Sequence, residues 1–267
     1  MELFQILGYL GALLIGIVLG LIGGGGSILT VPILVYLLQI NPVTATAYSL
    51  FVVGSSALVG TLRNIPKKTV DFRTAFVFAL PAFISVYLTR RFLVPAIPEE
   101  IFNIGNFTLT KNLGIMVFFA LIMLFASFSM IRNKKEGNDA SEKVSYNYPL
   151  IIIEGIVVGT LTGIVGAGGG FLIIPALVLF AKLPMKKAVA TSLLIIAIKS
   201  LIGFIGDIEN LTIDWNFLII FTGISIVGIF IGVWLNKFID GKKLKKAFGW
   251  FVLLMAIYIL LKEFTAL

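Results

Sequence analysis

Apolar runs separated by short polar breaks organise the whole chain. Stretches of low polarity cover residues 6–22, 28–40, 44–62, 74–89, 112–131, 149–165, 171–183, 188–205, 215–236 and 247–261. Most approach the length, about 17–25 residues, that a helix needs to cross the hydrocarbon core of a bilayer. Two are shorter: 28–40 and 171–183 reach only about 20 Å at about 1.5 Å per residue, against a core of about 30 Å. Each follows a glycine cluster directly. The pattern predicts an all-α integral membrane protein. Composition agrees, since 59% hydrophobic residues, 13% charged residues and a mean hydropathy of +1.07 exclude a soluble globular enzyme. The 27 glycines fit this class, because small residues let membrane helices approach closely. No cleaved leader is expected, since residues 1–5 hold Glu2 and no Lys or Arg.

Residues 132–147, RNKKEGNDASEKVSYN, are polar, charged and without apolar periodicity. They divide the chain into a first transmembrane repeat, 1–131, a cytoplasmic linker, 132–147, and a second repeat, 148–267. Sliding the sequence by 143 residues without a gap gives 17 identities over the 53 positions from 20 to 72. Greasiness alone would match Leu with Leu. Here Gly23, Gly25 and Gly26 fall on Gly166, Gly168 and Gly169, Pro32 on Pro175, Ser49 on Ser192, Gly60 on Gly203, and Asp71 on Asp214, which identifies an internal duplication.

Charge in equivalent loops then sets orientation. Arg63, Lys67, Lys68 and Arg73 flank the first copy's loop, whereas its partner holds Asp207, Glu209 and Asp214 and no base. Basic loops stay in the cytoplasm, so the two loops are expected on opposite faces and the repeats inverted. Each half then needs an odd number of crossings, met by a glycine-broken or re-entrant hairpin followed by three transmembrane helices. Arg90 and Arg91 run against this scheme, because it places them outside, offset only in part by Glu99 and Glu100. The formal charge of +8 reads as topology rather than as a nucleic-acid surface.

With neither cysteine nor histidine, thiolate chemistry and the commonest metal ligand are missing, and no metal or cofactor is expected. Candidate chemistry lies in the two clusters, Gly23, Gly24, Gly25, Gly26 and Ser27, and Gly166, Ala167, Gly168, Gly169 and Gly170. Backbone that leaves helical geometry inside a membrane is tolerated only when buried in protein or lining a cavity. Each cluster precedes a short helix whose first N–H groups lack partners, which suits an anion. Paired breaks in the two halves of a transporter point to a substrate site where they meet, near the bilayer midplane. Neither cluster completes a nucleotide-binding motif, so ATP is not the energy source within this chain.

Gly8, Ala12, Gly16, Gly20 and Gly24 place a small residue at every fourth position, mirrored by Gly155, Gly159, Gly163 and Ala167. This stripe reads as helix packing. Lys199 lies deep in the run 188–205; it reads either as an anion-attracting or gating group or as a structural lysine that snorkels or is ion-paired. Tyr48, Ser49, Thr191 and Ser192 open the spans after the short helices, where their hydroxyls can serve a bound oxyanion or their own helix backbone. The expected partners are a small anionic substrate, with a coupling proton or other ion left open, and the lipid bilayer. An anion channel built on the same backbone sites remains the alternative to a carrier.

The motifs LGLIGGGGSILTVP at 19–32 and TGIVGAGGGFLIIP at 162–175, each followed by Ala-x-Ala-x-Ser, at 45–49 and 188–192, resemble the toluene-sulfonate uptake permease, or sulfite exporter (TauE/SafE-type), family. The likeness covers nearly the whole chain, with Ser27 standing where the second copy has Gly170. It implies a secondary transporter of sulfite, sulfonates, sulfoacetate or similar anions in a prokaryotic cytoplasmic membrane.

The loop charges generate a direct expectation. In this cysteine-free chain, Lys67→Cys should label from the cytoplasmic side and Asn210→Cys from the outside; labelling of both from one side contradicts the inverted arrangement.

Overall fold

The computed structural model describes residues 3–24, 26–104, 107–132, 148–165, 170–179, 183–236, 238 and 241–265. The first half contains α1 (Leu3–Ile22), α2 (Ser27–Pro32), α3 (Pro42–Asn64), α4 (Phe72–Leu88), the single turn α5 (Val94–Ala96) and α6 (Lys111–Ile131). The second contains α7 (Tyr148–Val165), α8 (Gly170–Leu179), α9 (Met185–Ile208), α10 (Trp215–Leu235) and α11 (Gly241–Thr265). Among the described residues, five helices are long and apolar enough to cross a membrane: Gln5–Ile22, Pro42–Lys67, Phe72–Ala96, Lys187–Ile208 and Trp215–Leu235. Among the described residues, strand occurs in one hairpin of β1 (Glu100–Ile104) and β2 (Phe107–Thr110), antiparallel with an irregularity between Glu100 and Phe102, in a segment without strong apolar period.

Caps explain where these helices begin. Asn41 accepts a bond from Val43 N ahead of Pro42, the first residue of α3. Asp71 accepts from Thr74 N at the start of α4, and Asp214 from Phe217 N at the start of α10. The aspartate shared by the two copies is thus the N-cap of equivalent helices.

The chain after α1 turns back along it. Gly26 lies against the carbonyl of Ile15, Gly11 against Ile33 and Gly8 against Leu38, so rising number in one strand of this helical hairpin meets falling number in the other. Pro32 removes a backbone donor from the returning helix. It then widens into a π-turn, Ile33–Leu37, closed by Leu38 N on Ile33 O at 3.2 Å.

The halves hold each other by exchanged contacts. A Cβ on Gly16 would strike the carbonyl of Ser225, and one on Gly159 the carbonyl of Ala82. These are the same contact in the two copies, since residues 16 and 159, and 82 and 225, are 143 apart. Helix α1 therefore packs on α10 as α7 packs on α4, and the small-residue stripes form the seams. Along the central pair, Leu50 meets Gly203, Gly54 meets Leu201 and Gly60 meets Leu193. Equivalent helices α3 and α9 thus run antiparallel. The basic segment after α3 and the acidic segment after α9 consequently lie at opposite ends of the bundle, called below the Asn64 end and the Asp207 end.

Leu19, Val53, Phe78, Ile196 and Ile229 belong to one buried cluster spanning both halves. Phe76, Leu80, Phe125, Ile219 and Leu254 point outward and are more than half exposed, an apolar exterior suited to lipid rather than water.

The seam predicts a contrast between two glycines of similar helical setting. Gly16→Leu should destabilise the purified protein by about 1–3 kcal/mol through overpacking. Gly223, with nothing within 4 Å of an added Cβ, should accept leucine without loss. Thermal unfolding in detergent checks both, and equal effects contradict backbone contact at the seam.

Candidate functional site

The first break begins where α1 has completed its 20 residues. Gly23 donates to Leu19 O at 2.8 Å, closing the helix, and adopts φ +82°, a left-handed conformation that glycine takes without strain. Ser27 Oγ donates to Gly24 O at 2.8 Å and Thr30 Oγ1 to Gly26 O at 3.4 Å. The hydroxyl of Ser27 is therefore turned onto the break's own backbone. Gly25, Gly166, Ala167, Gly168 and Gly169 lie outside the described residues. Gly170 opens α8 and meets the first break directly: a Cβ on Gly24 would stand 2.5 Å from Gly170 Cα. Backbone touches backbone here, and neither position has room for a side chain.

Helix α9 runs past this contact. Ser192, buried, donates to Val189 O at 2.8 Å and to Gly23 O at 3.2 Å, so the second copy's serine helps hold the first copy's break. Ser49, its equivalent, is also buried, and its hydroxyl has no hydrogen-bond partner among the described residues. Tyr48 Oη accepts from Asp214 N at 2.7 Å, and Thr191 Oγ1 from Asp71 N at 2.9 Å. These are exchanged equivalents once more. Both hydroxyls anchor the partner half's helix start, the backbone alternative to a ligand.

Gly23 is level with Val189 in the first turns of α9, and Gly170 with Ile196 near its middle; Asn236, just after α10, donates to Leu21 O. Helix α1 runs to Ile22 before it breaks, which carries Gly23 toward the Asn64 end.

Lys199, three residues beyond Ile196, is wholly buried. It does not snorkel. Its Nζ donates to Thr162 Oγ1 at 2.8 Å, in the last turn of α7 before the second break. No carboxylate lies within ion-pair distance of it among the described residues.

Sequence reasoning missed the neighbour of this lysine. Arg90, read as a loop charge, is fully buried in the π-turn Thr89–Leu93. Its Nε donates to Asp207 Oδ2 at 2.7 Å, Nη1 to Gly163 O at 3.2 Å, and Nη1 and Nη2 to Thr46 Oγ1 at 3.0 Å each. Arg91 reaches Glu209 at 2.9 Å on the surface. The usable signal was the double arginine on the face that loop charges assign to the outside. Two buried cations thus bond consecutive residues, Thr162 and Gly163, just ahead of the second break. Among the described residues one carboxylate, that of Asp207, lies with them, paired to Arg90.

A helical bundle with an apolar exterior and, among the described residues, five helices long and apolar enough to cross a membrane, with Gly24 of the first break against Gly170 at the start of α8, defines a multi-pass membrane protein. The chain belongs to the sulfite exporter TauE/SafE family, whose model matches residues 8–259. It is similar to a probable membrane transporter protein of Xylella fastidiosa strain 9a5c, 28% identical over 95% of this chain and 94% of that one. The probable membrane transporter protein YunE of Bacillus subtilis is 32% identical over 79% of this chain and 81% of its own. A probable membrane transporter protein of Haemophilus influenzae is 25% identical over 93% and 95%. No solved structure matches the chain. It is a membrane transporter of the cell membrane.

Proposed function

We propose that the chain is a secondary carrier that moves a small sulfur-containing or organic anion, of the sulfite, sulfonate or sulfoacetate class, by alternating access. The observation that carries this reading is Lys199: a buried lysine with a hydroxyl and, among the described residues, no carboxylate beside it, one helical turn from Ile196, which touches Gly170. An uncompensated cation in a membrane interior is costly, and an anion arriving there recovers that cost. The substrate site comprises the break residues 23–27 and 166–170, Ser49, Ser192 and Lys199. The family's name for sulfite export supports the substrate class.

In this reading residues 1–131 and 148–267 are repeats inverted across the bilayer, supported by the antiparallel packing of α3 on α9. Residues 132–147 and the Asn64 end, with Arg63, Lys67 and Lys68, face the cytoplasm, and both termini lie outside. Rocking of one half against the other along the glycine seams exposes the site to each side in turn. The substrate moves alone or with a proton or another ion.

Flux into proteoliposomes, measured for sulfite, a panel of sulfonates and carboxylates with and without a pH gradient, tests this. Lys199→Met should raise KM at least tenfold or abolish saturable flux, and Lys199→Arg should retain part of it. An unchanged KM for Lys199→Met overturns the site. Saturable counterflow is expected of the carrier, whereas flux that never saturates indicates a channel.

A further inference from the structure

Arg90 is the largest fully buried side chain among the described residues, and its four bonds join four helices. Through Asp207 it holds α9 and through Gly163 O it holds α7, both of the second half. Through Thr46 it holds the first turn of α3, and its own backbone closes α4 in a π-turn, with Val94 N bonded to Thr89 O. The pair with Asp207 is sealed, at 0% and 3% side-chain exposure.

The repeat gives no counterpart at the other end. Shifted by 143 residues, Arg90 corresponds to Val233, Asp207 to Asn64 and Gly163 to Gly20. There Gly20 packs on the Ile229 carbonyl, and the Asn64 amide donates to Gly60 O in its own helix. The Arg90–Asp207 pair of the Asp207 end is thus replaced, at the repeat-related positions of the Asn64 end, by Val233 and by an asparagine bonded within its own helix.

We propose that Arg90 and Asp207 form a one-sided gate: the pair keeps the Asp207 end closed and separates when that end opens during transport. This rests on the alternating-access reading. Separating two buried charges inside a closed bundle leaves each without a partner, which is strongly unfavourable. Water entering an opened end solvates both and offsets the lost pair, so breakage and opening accompany each other. The bond to Gly163 O, three residues before the second break, and the one to Thr46, three residues before Ser49, connect the gate to the candidate site. The exposed Arg91–Glu209 pair contributes little by comparison.

The test reads accessibility without substrate. Ala45→Cys places a single thiol beside Thr46 at a position that is 0% exposed, and a membrane-impermeant maleimide is added to either side of proteoliposomes. Asp207→Asn should raise the labelling rate from the Asp207 side about tenfold by shifting the population toward the open state. That variant strands a buried cation, so the double change Arg90→Met with Asp207→Leu accompanies it; apolar side chains replace a purely structural pair without penalty. The double variant should label equally fast, and Arg91→Ala should label as slowly as the parent. Unchanged labelling in the folded, monodisperse double variant overturns the gate, as does acceleration from the Asn64 side. Because no anion is present, this result stands apart from the Lys199→Met flux measurement, and either reading can fail alone.

Discussion

Close approach of backbone to backbone holds this molecule together. Within a bilayer an apolar side chain gains little by exchanging lipid for another helix, so association depends on packing at small residues and on buried polar contacts. Gly16 against the Ser225 carbonyl and Gly159 against the Ala82 carbonyl place each half's entering helix on the other half's fourth helix. The halves are therefore not separate bodies joined by residues 132–147. Each packs on the other, and Gly24 of the first half meets Gly170 of the second.

The buried polar groups follow the same exchange. Tyr48 receives the Asp214 amide and Thr191 the Asp71 amide, so each half supplies the acceptor that the other's helix start needs. Where the exchange stops being even, chemistry appears. Lys199 corresponds to Ser56, which donates to Ser225 at 3.0 Å, and Arg90 corresponds to Val233. Each basic residue, Lys199 in the second half and Arg90 in the first, thus faces a neutral residue at the equivalent position of the other half. Duplication supplies a two-fold frame, and single substitutions within it supply asymmetry.

Much of this was legible in the residues. Apolar runs located the helices, the constant offset of 143 exposed the duplication, and the stripe ending at Gly24 read correctly as packing. The glycine clusters pointed to breaks that face one another; Gly24 meets Gly170, while Gly25 and residues 166–169 lie outside the described residues. What escaped were features set by residues far apart in sequence. Arg90 and Asp207 are 117 residues apart, and nothing local distinguishes an arginine sealed against a carboxylate from one at a loop edge. The hydroxyl of Ser27, open to a ligand on paper, is taken by Gly24 O. The depth of the first break depended on α1 keeping helical geometry through Ile22, which local pattern does not decide.

The antiparallel pairing of equivalent helices α3 and α9 is the claim on which the orientation of the repeats and the one-sided gate both rest. Disulfide cross-linking measures it in this cysteine-free chain. Leu50→Cys with Gly203→Cys, and Gly60→Cys with Leu193→Cys, should cross-link readily, since each pair is in contact across α3 and α9. Leu50→Cys with Leu193→Cys, and Gly60→Cys with Gly203→Cys, join residues equivalent in the two copies and should stay unlinked, their levels differing by about 15 Å of helical rise. Cross-linking of the equivalent pairs in place of the contacting ones would show that the copies run parallel and would contradict the account.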